Sequence, residues 1–108
     1  MKVTMYGACT VSRNIYNGTG KLTWCIKRQS KHKDDCGWVF LSDVDTDEFL
    51  NNPKNWCIMT LEDLMEIEPL IVEIYNMPVG TEVTMIREPE DVYFVDTNTG
   101  ERVNDFFF

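Results

Sequence analysis

The sequence is poor in the residues from which most active sites are built. Its single histidine, His32, lies in the polar stretch QSKHKDD, where solvent exposure is its expected state, and no GxGxxG, P-loop or HExxH pattern occurs. The common phosphate-cradling loops and helix-borne zinc proteases are thereby excluded. The four cysteines, Cys9, Cys25, Cys36 and Cys57, include no CxxC spacing. Neither a zinc knuckle nor a paired redox motif is encoded, and buried free thiols are expected. No apolar run approaches the ~20 residues of a membrane-spanning helix, and the opening MKVTMYGACTVSR lacks the apolar stretch of a secretory leader. A cytoplasmic protein without a membrane partner is the expectation.

Acids are missing from residues 1–33, which carry seven lysines and arginines. Bases are scarce afterwards, where Lys54, Arg87 and Arg102 face all 18 acids. The two stretches therefore hold charges of +7 and −15 within a net −8. If the fold keeps them apart, one face carries a strong field that speeds encounter with a cationic partner and repels nucleic acid. If a sheet interleaves them, the charges are only solvated surface. Trp24, Trp38 and Trp56 are able to stack on bases in principle. In an acidic chain without an RNP-type strand they are assigned to core packing.

What is present begins with DVDTDEFLNNPK, residues 43–54. Asp43, Asp45 and Asp47 at alternate positions resemble the opening of an EF-hand loop, whose carboxylates converge on calcium. The sixth position of such a loop needs glycine and holds Glu48, and the twelfth needs a bidentate carboxylate and holds Lys54. No metal ligands and no cofactor are assigned. The remaining readings are a solvated turn or a surface shaped for a partner.

At 108 residues the chain is long enough for one domain with its own core, taken as residues 1–108. ACTVS (8–12) and LTWCIKR (22–28) read as strands joined through the turn cluster YNGTG into a hairpin, with Leu22, Trp24 and Ile26 on one face of the second. CGWVFLS (36–42) is a third strand, and TDEFLNN a short helix or turn capped by Thr46 and ended by Pro53. WCIMT (56–60) is a weak strand signal. Thr60, with Asp63 three residues on, caps a helix from Leu61 whose stripe Leu61, Leu64, Met65, Ile67, Leu70, Ile71, Ile74 is core, interrupted by Pro69. EVTMIR (82–87) and VYFVD (92–96) complete the pattern. The expected fold is α+β: an antiparallel sheet of about five short strands with two or three short helices on one face.

The order ACTVS, GKLTWCIKR, DDCGWVFLS, an acidic run, NNPKNW, a helix carrying EP, and MPVGTEV resembles the bacterial immunity protein 33-like domains, formerly a domain of unknown function. The resemblance spans residues 7–88 and is most specific in DDCGWVF, NNPKN and PVGT. Where that family commonly has Ser-Gly before its acids, this chain has Ser42-Asp43. The resemblance implies a non-catalytic protein of a polymorphic toxin system that binds a toxin and spares the producing cell. It transfers no catalytic residues. On that basis Asp43, Asp45, Asp47 and Glu48 form the expected partner-binding patch, with Phe49 as its apolar element and Trp38 and Phe40 as core beneath. Two other classes remain open: a small ligand-binding or regulatory module, and an enzyme using a thiol such as Cys36, for instance paired with His32.

Overall fold

A computed structural model describes residues 6–103. Strand β1 (Ala8–Ser12) runs into helix α1 (Arg13–Asn17), followed by β2 (Leu22–Lys27), β3 (Asp35–Ser42) and α2 (Asp47–Leu50). A 3-10 turn at Pro53–Asn55 leads into β4 (Trp56–Thr60), α3 (Leu61–Ile67), a second 3-10 turn at Pro69–Glu73, and the pair β5 (Glu82–Glu88) and β6 (Asp91–Asp96). The strands make one six-stranded sheet in the order β4-β1-β3-β2-β5-β6. The fold is α+β as expected. The sheet is nevertheless mixed, because β1 and β3 run parallel while every other pair is antiparallel.

The expected β1–β2 hairpin does not form, for a local reason. Ser12 ends β1 as a helix cap, its hydroxyl accepting the Asn14 N–H, and α1 turns the chain away until Gly18 stops it at φ 79°. β2 is then laid one place beyond β1, and β3 returns to fill the gap between them. Residues 16–20 are thus the end of a helix and its exit. Thr46 and Thr60 cap α2 and α3 as their sequences indicate, accepting from the backbone N–H groups of Phe49 and Asp63.

The face assignment in β2 is also corrected. Leu22 pairs with Ser42 and Trp24 with Leu41, so two steps along β2 match one along β3. That bulge reverses which side chains point inward. Leu22 and then Cys25 are buried, whereas Trp24 and Ile26 lie 39% and 37% exposed on the opposite face. Trp24 is therefore not core. Trp38 is fully enclosed and Trp56 half-buried.

One face of the sheet carries the core. Cys9, Val11, Trp38, Phe40, Val83 and Phe94 meet Ile15 of α1, Leu61 and Leu64 of α3, and Ile71 and Ile74 beyond Pro69. Ile67, from the same stripe, points outward. Among the described residues no helix covers the other face, and Trp24, Ile26 and Ile58 are exposed there.

Gly37 sits in DDCGWVF for a reason visible in its backbone. Its φ is 87°, and an added Cβ would come within 2.5 Å of the Arg28 carbonyl oxygen. Gly37→Ala is expected to cost about 1–3 kcal/mol, as other residues do in this left-handed region. A melting temperature equal to the parent's would show that the backbone at the start of β3 relaxes freely.

Candidate partner-binding surface

The acidic run lies at the end of the sheet where β1 and β3 terminate, and it is fixed rather than loose. Asp45 points inward: its Oδ1 accepts the Ser12 hydroxyl (2.8 Å), the Ser42 hydroxyl (2.7 Å) and the Asn14 side-chain amide (2.8 Å). Its Oδ2 accepts the Ser42 backbone N–H at 2.7 Å. Ser12 and Ser42, the last residues of β1 and β3, are the buried polar residues among those described. Burial opposes the charge on Asp45, but these donors outweigh it and hold the carboxyl below its ordinary range. Asp43 is tied by the Lys21 N–H to its Oδ1 (2.9 Å) and returns its own N–H to the Lys21 carbonyl.

The far side of the run is pinned as well. Arg13 donates to the carbonyls of Lys54 (3.0 Å) and Trp56 (3.2 Å), the Trp56 indole donates to Leu50 O (2.8 Å), and the Asn55 amide to Phe49 O (2.8 Å). Between these anchors α2 presents Asp47 and Glu48 to solvent in its first turn, with Phe49 half-buried behind them. Neither Asp47 nor Glu48 is paired with a cation among the described residues. The four acids of the sequence motif are thus split. Asp43, Asp47 and Glu48 face outward, and Asp45 holds the segment to the sheet. Among the described residues no three His, Cys, Asp or Glu gather as metal ligands would.

Of the supporting residues, Ser12 and Asn14 were not singled out by sequence reasoning, and Ser42 only as the residue that precedes the acids. Their signal is a Ser at the end of each of two strands, legible only once those strands are known to be neighbours.

The opposite end of the sheet is basic. Arg28, Lys31 and His32 surround a cavity of about 230 Å³ with Thr10, Asp35 and Ile58, and Arg28 Nη2 reaches the Thr10 hydroxyl at 3.5 Å. Asp35 is held below the usual carboxylate range chiefly by the Lys31 N–H, against burial, with help from the Gly37 N–H and the charges of Arg28 and His32. The charge asymmetry of the sequence therefore survives partly in space. Basic residues cluster where β3 begins and acids where it ends, while other acids lie along α3 and the β5–β6 hairpin.

Of the cysteines, Cys9 and Cys25 are buried, and Cys36 and Cys57 are half-buried, so only two meet the expectation of full burial. Burial pushes the Cys25 thiol up, and it raises Cys57 as well. Cys9 is raised and Cys36 lowered chiefly by the influence of each sulfur on the other.

A small α+β domain with helices on one sheet face, none over the other among the described residues, and a hydrogen-bonded acidic end defines the structural class. The model of the immunity protein Imm33 domain matches residues 9–97, and the chain belongs to that family. No curated protein and no solved structure matches the chain. No helix among the described residues is long and apolar enough to cross a membrane.

Proposed function

We propose that this protein neutralises a cognate bacterial toxin in the cytoplasm by non-catalytic, stoichiometric binding. The contact surface is the acidic end: Asp43, Asp47 and Glu48 supply charge, Phe49 supplies apolar area, and Asp45 sets their position. The observation that carries this reading is an anchored, outward-facing acidic segment in a chain of the immunity family. Preorganisation matters because binding then orders few side chains, and unpaired surface carboxylates attract a cationic cleft over about one Debye length, roughly 8 Å at physiological salt. Neither a cofactor nor nucleic acid has a part in the mechanism.

The first test is co-expression with the toxin encoded beside this gene. Protection and a one-to-one complex are expected, and continued growth arrest without a complex would overturn the assignment. The second test concerns the surface. Replacing Asp43, Asp47 and Glu48 by their amides, with Asp45 left intact, keeps shape and the anchor while removing three charges. Association with the toxin is expected to slow about tenfold at low salt, the difference shrinking as salt rises. An unchanged rate with a protective toxin partner would move the contact to another face.

A further inference from the structure

Cys9 and Cys36 come from strands that lie side by side, and the register sets the two residues next to each other. Ala8 pairs with Asp35 and the next pair is Thr10 with Val39, so Cys9 faces the short bulge that begins with Cys36. Both side chains turn to the core face, where Cys9 is a member of the cluster and Cys36 packs against it. Gly7 leaves them room: a Cβ there would stand 3.3 Å from that of Cys36. The surroundings of the two sulfurs differ. Cys9 is 1% exposed and donates to the Met59 carbonyl at 3.4 Å. Cys36 lines an open groove of about 510 Å³ together with Tyr6, Lys27, Ser30, Tyr75 and Asn76. The Lys27 ammonium is fixed there by the Tyr75 carbonyl at 3.3 Å.

We infer that Cys36 and Cys9 form an oxidisable dithiol, in which a small peroxide attacks at Cys36 and Cys9 resolves the product to a disulfide joining β1 to β3. The Cys36 thiolate attacks one peroxide oxygen and the O–O bond breaks, leaving a sulfenic acid on Cys36 and a hydroxide that takes up a proton. The Cys9 sulfur then attacks the sulfenic sulfur, the S–S bond forms, the S–O bond breaks, and the departing hydroxide takes the Cys9 proton as water. The two sulfurs together lose two electrons, and peroxide is reduced to two waters.

The groups facing Cys36 support thiolate at neutral pH. The neighbouring Cys9 sulfur favours the charge most, burial opposes it, the Trp38 N–H favours it, Asp35 opposes and Lys27 favours, with the balance at about 7. Tyr6 and Tyr75 complete the wall. Cys25 is enclosed on β2, and Cys57 on β4 lies across from Val11, with its thiol raised. Neither competes as the point of attack.

The test treats the intact reduced protein with one equivalent of hydrogen peroxide and maps its peptides without reduction. A single Cys9–Cys36 link is expected, with Cys25 and Cys57 still free, and Cys9→Ser should leave a sulfenic acid on Cys36 that dimedone traps. Alkylation of the parent by iodoacetamide gives an arm that needs no variant. At pH 7 Cys36 should react about tenfold faster than Cys57, in keeping with its larger thiolate fraction. First oxidation at Cys57, a Cys9–Cys57 link, no oxidation of any thiol, or equal alkylation of Cys36 and Cys57 would each overturn the inference.

Discussion

Trp38→Ala is expected to lower folding stability by about 3–5 kcal/mol, a large part of what holds a small domain together. Trp38 is fully enclosed at the centre of β3, stacks on Phe40 with ring centroids 5.7 Å apart, and donates its indole N–H to the Tyr75 carbonyl at 2.8 Å. The Lys27 ammonium lies 5.6 Å over the same ring and shares that carbonyl. Truncation leaves a cavity walled by strands on both sides, which cannot close in, and removes one of two donors from Tyr75. Urea unfolding checks it: the midpoint should fall sharply with the slope unchanged. A parent-like midpoint would mean that the neighbours repack into the space.

Asp45→Asn is expected to cost about 2–4 kcal/mol, although it changes one atom and fills the same space. The carboxylate accepts four hydrogen bonds and donates none. An amide turned one way sets its NH2 against the Ser42 N–H, and turned the other way against the Asn14 amide. Either orientation places donor against donor beside two buried serines. The pH dependence follows from the same contacts. Because the folded carboxyl is held below its ordinary range, its contribution is fully present above the unfolded value of about 3.9 and is lost as pH falls toward the folded one. The gap in melting temperature between parent and Asp45→Asn should therefore narrow below about pH 4. A gap constant from pH 7 to pH 3 would assign the loss to packing.

Much of the secondary structure was legible because its signals are local. Thr46 and Thr60 mark the starts of α2 and α3, alternation marks the strands, and Pro69 breaks the stripe where the helix ends. Topology was less so. α1 has five residues, too few for a period to show, and its cap and stop, Ser12 and Gly18, were absorbed into a strand and a turn. Missing that helix joined β1 to β2 directly and hid the parallel pair. The bulge at Leu22–Trp24 had the same effect on burial, since a pattern read at period two has no means of registering an extra residue. In the acidic run, sequence spacing brought Asp43, Asp45, Asp47 and Glu48 together but did not distinguish the inward acid from the outward ones. That difference comes from Ser12 and Asn14, about 30 residues away in sequence.

The place of β3 between β1 and β2 also sets an order of assembly. The hairpins β2–β3 and β5–β6 close over short loops, the second over only Pro89 and Glu90, and local closures are fast. β1 has no such neighbour. Both strands that flank it, β3 and β4, come later in the chain, so on the ribosome β1 has no ladder to join until residues 35–42 have emerged. Its docking spans a greater sequence separation than the closure of either hairpin. A destabilising substitution confined to β1, such as Val11→Ala, should then speed unfolding far more than it slows refolding.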